Sequence, residues 1–248
     1  MISFREVSKR FGSKVVLDGV TFDVPRGEIS FIIGASGAGK SVLIKHVTGF
    51  VRPDGGEIWL DGVEVSRLDE RALASVRKRC ALVFQHATLF DSQSCLENVA
   101  LPLEKHGRSR PRGEILARAR DLLTRVHMEA FADRFPSELG EGMKKRVAIA
   151  RALALEPEYV LFDEPTTGLD PVNARRVDRL IQTLSREGGV TSLVVSHDLT
   201  SIFGIADRIV MLYKGRVRLI GSPDDFRQSD DPVVRQFVRG EAEGPMDA

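Results

Sequence analysis

The chain has 248 residues, enough to bury one full hydrophobic core or one core carrying an inserted lobe. Its 42% hydrophobic and 29% charged residues exclude the disordered and fibrous classes. With 36 Lys and Arg against 35 Asp and Glu, the balanced charge argues against general polyanion binding and so against a nucleic-acid partner. Cys80 and Cys95 form no C-x-x-C pair, which suits a reducing compartment, and the five histidines show no metal-ligand spacing. No apolar run approaches the ~20 residues of a spanning helix, and the first residues lack the basic-then-apolar pattern of a signal peptide. The expectation is a cytoplasmic protein whose membrane contact comes through a partner.

Residues 2–7, 15–24 and 57–60 read as strands, the last leading into the turn pair Asp61-Gly62. Residues 29–33 are uniformly apolar and strand-sized, as suits the centre of a parallel sheet. A helix from Lys40 should follow and break near Gly49 and Pro53. Between about 86 and 155 the pattern turns helical. Residues 112–126 carry apolar Ile115, Leu116, Leu122, Leu123 and Val126, and a second helix runs over about 142–155 after Pro136. Two more buried-type strands, 159–162 and 192–195, precede a hairpin turned at Lys214-Gly215. Residues 240–248 are small and acidic and read as a mobile end. The economical reading is one α/β domain over 1–248 with a helical lobe at about 86–155 and a tail at 229–248.

The segment Gly34-Ala35-Ser36-Gly37-Ala38-Gly39-Lys40-Ser41 fits G-x-x-x-x-G-K-[ST] between an apolar strand and a helix, the setting that motif requires. Its glycines let the backbone curl around phosphates and aim N–H groups inward at a helix N-terminus. Lys40 supplies a cation to the β- and γ-phosphates, and the Ser41 hydroxyl can ligate Mg²⁺. Farther on, four buried-type residues end in Asp163-Glu164. As a strand beside that of the P-loop, they would deliver both acids at the carboxyl edge of the sheet, where α/β folds bind ligands. Asp163 would hold Mg²⁺ through water, and Glu164 would act as general base. An isolated acidic pair after a strand is more often a helix cap, and it is the P-loop about 120 residues upstream that reverses this reading. His197 and Gln85 also follow apolar strands. Each alone would be an ordinary structural or solvated residue.

In this order and spacing the set resembles the nucleotide-binding subunit of ABC transporters, from Phe4 to about Phe237. The resemblance implies a P-loop NTPase core with a parallel sheet, an N-terminal antiparallel β-subdomain and an inserted α-helical lobe. It implies ATP and Mg²⁺ as cofactors, with Phe11 stacking on adenine, Gln85 contacting Mg²⁺ and linking core to lobe, and His197 sensing the γ-phosphate. Residues 167–170, ending in Asp170, match the D-loop. Residues 135–152 match the signature segment, which reaches across a head-to-tail dimer to the ATP of the other subunit. There the chain departs from the family, reading Leu139-Gly140-Glu141-Gly142-Met143 where Leu-Ser-Gly-Gly-Gln is usual. Gly140 replaces a serine that would meet the γ-phosphate, and Glu141 replaces a glycine. The expectation is that Glu141 turns away to cap a helix starting at Gly142, leaving the N–H groups of residues 140–142 facing phosphate.

Three stretches resemble the ATPases of Mla/Mce-type lipid transporters: 82–103, 142–146 with its methionine, and 231–245. That likeness implies three partners: a second copy of the chain, a multispanning permease and a lipid-binding Mce-type protein, with the ATPase peripheral at the inner face of the cell membrane. It also implies that apolar Val233, Val234 and Phe237 of the tail pack on the second copy. The alternatives are the ATPase of another ABC importer or exporter, of the amino-acid or lipoprotein type, or a permease-free ABC ATPase acting on nucleic acid. The latter usually has a long coiled coil or two cassettes in one chain, and neither is present here.

Overall fold

A computed structural model describes residues 1–106 and 111–247. In chain order, β1 (Ile2–Phe11) and β2 (Lys14–Val24) precede β3 (Ile29–Ile33), which a glycine loop joins to α1 (Lys40–Val47). Next come β4 (Gly55–Leu60), β5 (Val63–Glu64), α2 (Glu70–Arg79) and β6 (Cys80–Val83). The helices α3 (Cys95–His106), α4 (Arg112–Arg125) and α5 (Glu141–Ala152) follow. The chain then returns through β7 (Tyr159–Asp163), α6 (Pro171–Arg186), β8 (Thr191–Val195) and α7 (Leu199–Ile205). It ends with β9 (Arg208–Tyr213), β10 (Arg216–Gly221), α8 (Pro223–Arg227) and α9 (Pro232–Arg239).

Two sheets result. One is antiparallel, in the order β2-β1-β4-β5; the other runs β10-β9-β3-β8-β7-β6 and is parallel except at the β9–β10 edge. Every residue of β3, β7 and β8 is buried, as uniformly apolar runs covered on both faces should be. The core lies on the two sides of this sheet. Ile32, Leu161, Leu193 and Leu43 pack towards the antiparallel sheet, while Phe31, Phe162 and Val194 pack towards the helices. On that helical side α3, α4 and α5 bring Val99, Leu103, Leu122, Leu123 and Val147 together. Both cysteines are free and buried, and burial pushes the Cys95 thiol up to about 11, away from thiolate chemistry.

Two expectations from sequence are corrected here. The strand ending in Asp163 does not lie beside the P-loop strand: β8 stands between β3 and β7. These strands are almost equally apolar and short, so composition carries no order among them, and the crossover helices decide it. The tail also folds on its own chain. Val233 and Val234 are buried in the same core as the helices, and Asp231 caps α9 through the N–H groups of both. Residues 240–247 fold back onto α9, with the Met246 N–H donating to Gln236 Oε1 at 2.8 Å and Tyr213 donating to the Pro245 carbonyl at 2.7 Å. Ala248, the last residue expected to be mobile, lies outside the described residues.

The turn pair read from sequence does more than join two strands. Asp61 (φ 49°) and Gly62 (φ 82°) make the two-residue turn between Leu60 and Val63, both in the left-handed conformation such hairpins favour. The Asp61 carboxylate accepts from Arg26 at 2.5 and 2.9 Å, from Arg79 at 2.5 Å and from the Tyr159 hydroxyl at 2.7 Å, and it pairs with the Met1 ammonium. It thereby ties the antiparallel sheet to the start of β7. Led by the Arg26 hydrogen bond, these partners hold its carboxyl far below the ordinary carboxylate value. Asp61→Asn keeps the turn but removes the charge, and should destabilise the chain by about 1 to 3 kcal/mol at neutral pH. A depressed folded-state value means the contribution is complete above the unfolded value of about 3.9 and is lost as pH falls below it. The stability gap between parent and variant, followed by urea unfolding, should therefore be constant from neutral pH to about 5 and narrow in acid.

Candidate nucleotide site

The loop from β3 to α1 is built by its glycines. At Gly34 (φ 141°) a Cβ would lie 2.3 Å from the Leu212 carbonyl oxygen, and at Gly39 (φ 93°) it would lie 2.7 Å from Leu17. Only glycine gives both the conformation and the close approach. The resulting cradle opens a cavity of about 800 Å³, lined by Phe11, Gly34, Ala35, Ser36, Gly37, Gly39, Lys40, Ser41, Gln85, Glu164 and His197. The sequence therefore singled out most of its wall, although Lys14, Val16 and Phe237 also contribute. Ala38 turns inward and packs on the core instead.

Lys40 is buried, and its Nζ donates to the carbonyls of Gly34 at 2.8 Å and Ala35 at 3.0 Å. Burial pushes its ammonium below the ordinary value, against the pull of Glu164 and Asp163. Ser41 donates to Asp163 Oδ1 at 2.5 Å, and Lys45 stands 3.6 Å from Oδ2. A hydroxyl and a carboxylate at this spacing are the hard oxygen donors that suit Mg²⁺. No cluster of three or more His, Cys, Asp or Glu able to hold a metal exists among the described residues, so an ion here would rest on Ser41 and Asp163 with other oxygen donors, such as Gln85 of the same cavity, phosphate and water.

Glu164 follows β7 in the left-handed conformation (φ 53°), uncommon for a non-glycine residue and costing about 1 to 2 kcal/mol. Its backbone is fixed by Glu164 N–H to Val195 O at 2.9 Å. Its Oε2 lies 2.8 Å from His197 Nδ1 and accepts from the Thr167 hydroxyl at 2.9 Å. The carboxylate is thus aimed from two sides, and its side chain is only 12% exposed while that of His197 is 60% exposed. Phe11 stands open at the rim, 51% exposed, with Lys9 5.3 Å from its ring centroid.

The remaining candidates are elsewhere. Gly140, Glu141, Gly142 and Asp170 line a separate cavity of about 540 Å³ with Met143, Asn173 and Arg176. Asp170 caps α6 by accepting from the N–H groups of Val172 and Asn173. The helix expected from Gly142 starts one residue earlier. Gly140 is its N-cap, and Glu141, instead of capping, occupies the first helical position and pairs with Lys144 at 2.9 Å. A carboxylate there is favoured by the helix dipole, and Lys144 three residues on draws it along the helix surface. A Cβ at Gly140 would meet nothing within 4 Å, whereas one at Gly142 would press on Asn173 at 3.0 Å.

Sequence reasoning missed three cations on α5. Lys145 is buried and donates to the carbonyls of Thr167 at 2.7 Å and Glu164 at 3.3 Å. Arg146 donates to the carbonyls of Val126 at 3.2 Å and His127 at 3.0 Å. Arg151 grips the carbonyls of Ala87 at 3.2 Å and Thr88 at 2.9 Å, just beyond Gln85. Burial pushes all three below their ordinary values. Nothing local marks them, since a run of Lys and Arg on a helix reads as a solvated face.

Comparison with known proteins identifies the family. Residues 17–167 match the family model described as ABC transporter. The chain is 40% identical over 251 residues to the methionine import ATP-binding protein MetN of Caulobacter vibrioides, covering 100% of this chain and 75% of that protein. It is 38% identical over 246 residues to the intermembrane phospholipid transport system ATP-binding protein MlaF of Escherichia coli K12, covering 99% of this chain and 91% of that protein. In three dimensions it resembles a dimeric post-hydrolysis state of the ATP-binding cassette MJ0796 bound to ADP and Pi. The TM-score is 0.83 at 33% identity, covering 90% of this chain and 99% of that one. Sequence, fold and cradle agree: this chain belongs to the ABC transporter family, as an ATP-binding and ATP-hydrolysing domain.

Proposed function

We propose that the chain powers a lipid transporter of the Mla type, as one of two identical copies working head to tail beneath a multispanning permease at the inner face of the cell membrane. The observation that carries the lipid reading is the MlaF match, which spans 91% of that relative, whereas the MetN match leaves a quarter of its relative uncovered. The methionine at position 143 adds to it. A second reading, import of an amino acid such as methionine, rests on the slightly higher identity to MetN, 40% against 38% for MlaF. Among the described residues no helix is long and apolar enough to cross a membrane, and in either reading the permease is proposed as a partner. The groove of about 230 Å³ lined by apolar Phe50, Leu82, Phe84 and Pro102 together with Arg77, Lys78 and Arg151 suits an amphipathic helix end of that permease. Purifying the complex from membranes and identifying the bound proteins and lipids tests this directly. A lipid-binding Mce-type partner supports it, and a methionine-binding partner overturns it.

In the proposed cycle, the cradle of residues 34–41 holds the phosphates of ATP, Phe11 stacks on the base, and residues 140–142 of the second copy close over the γ-phosphate. Bound Mg²⁺, held through Ser41, Asp163 and Gln85, would neutralise charge on the phosphates. Glu164 accepts the proton of the attacking water, while His197 and Thr167 keep its carboxylate in place. Residues 86–155 act as the lobe that passes closure to the permease. Closure is driven by the difference in ATP affinity between open and closed pairs.

Glu164→Gln keeps the shape of the site and removes its basicity. ATP should still bind, turnover should fall by about 10² to 10⁴, and an ATP-bound dimer should accumulate in light scattering. Near-normal hydrolysis by the folded variant would exclude Glu164 as the base.

The altered signature gives a second test. Gly140→Ser restores a hydroxyl where space is open, worth about 0.5 to 1.5 kcal/mol as one hydrogen bond, and should raise ATPase activity several-fold. Glu141→Gly removes a carboxylate already paired along its own helix, so turnover should change little while stability falls by a few tenths of a kcal/mol. Large activation by Glu141→Gly alone would mean that the acid turns towards the nucleotide in the working pair.

A further inference from the structure

A further cavity, of about 430 Å³, opens on the flank of the molecule and shares no lining residue with the P-loop cavity. Three helices meet there. Arg125 comes from the last turn of α4 and His127 from just beyond it, Arg146 from α5, and Arg176 and Arg179 from α6. Buried Val126 and Leu180 supply apolar wall between these groups. Among the described residues no carboxylate lines the cavity. Among the described residues none of its four arginines enters an ion pair, although Arg175 beside them on α6 is paired with both Asp178 and Asp198 at 2.8 Å.

This is not a solvated charge run on one helix face. The four guanidinium groups come from positions up to 54 residues apart, yet the fold gathers them around one hollow. Arg146 has spent one nitrogen on the carbonyls of Val126 and His127, while its Nε is buried with no hydrogen-bond partner. Burial, and then the like charge of Arg176, push its guanidinium below the ordinary value. Among the described residues the hydrogen bond of Arg176 is to Asn173 Oδ1, at 3.4 Å. Like charges held together without a counter-charge are stabilised by an anion, and the planar fork of arginine fits phosphate oxygens in pairs. A volume in the range of small-molecule sites favours a compact ligand over an extended acidic peptide.

We infer that this cavity binds a small organic phosphate of about diphosphate size. Its oxygens are taken by Arg125, Arg146, Arg176 and Arg179, and its organic part rests on Val126 and Leu180. Because α5 carries the signature residues and α6 is capped by Asp170, such a ligand would tie the helical lobe to the core beside the signature cavity, with which this one shares Arg146 and Arg176.

The test is calorimetric titration of inorganic pyrophosphate into the full chain with Mg²⁺-ADP saturating the P-loop. Saturable binding is expected. The double variant Arg125→Gln, Arg179→Gln should weaken it by about tenfold or more, as loss of two charge-assisted contacts implies, while its ADP affinity stays unchanged and certifies the fold. Arg71→Gln, an exposed arginine elsewhere, should have no effect. Equal pyrophosphate affinity in parent and double variant would overturn the inference, as would no saturable binding up to millimolar concentrations. Binding of a glutamate-rich peptide without pyrophosphate, abolished by the same substitutions, would also overturn it and assign the surface to a protein partner.

Discussion

Parallel pairing of three short strands fixes where every reactive group in this protein can stand. Ile32 of β3, Val195 of β8 and Asp163 of β7 form one rung across the sheet. Just past that rung, β3 runs into the glycine loop, β7 into Glu164 and β8 into His197. A slip of one residue in any strand would exchange its two buried faces, so packing on both sides locks the register. The site inherits that precision. Two backbone bonds, Glu164 N–H to Val195 O at 2.9 Å and Ser196 N–H to Ile32 O at 3.4 Å, carry the rung into the loops themselves. The left-handed turn at Glu164 is tolerable because the rigid edge beneath it sets the chain direction on both sides.

What could be read from the sequence was what is encoded locally. The glycine cradle, the acid pair after an apolar strand, the turns at Asp61-Gly62 and Lys214-Gly215 and the helix around Ile115 and Leu122 each depend on neighbours a few positions away. Strand order depends on nothing so near. The sequences of β3, β7 and β8 are too alike to show that β8 lies in the middle, and only the docking of α6 and α7 decides it. The amphipathic α9 posed the same difficulty: Val233 and Val234 need an apolar surface, but their spacing is indifferent to whether that surface belongs to this chain or another. Glu141 was misplaced by a single position, because glycines on both sides offer two helix starts of similar quality.

Charge was the least legible property. A net charge near zero conceals an arginine cavity assembled from three helices distant in sequence. The cations of α5 likewise look like surface residues until their partners are known, and those partners are backbone carbonyls that composition cannot reveal. Placed together they make α5 a hub. Lys145 holds the loop that carries Glu164, Arg151 holds the segment after Gln85, and Arg146 holds the end of α4.

The choice of carbonyls as partners for these cations has a mechanical consequence. The attraction between a charge and a dipole decays faster with distance than that between two charges, and buried contacts are little screened by salt. The grip of α5 on its loops should therefore weaken more steeply with displacement than a salt bridge would. While the contacts hold, α5, the loop that carries Glu164 and the segment after Gln85 move as one body, so a small shift of the helix loosens both segments together.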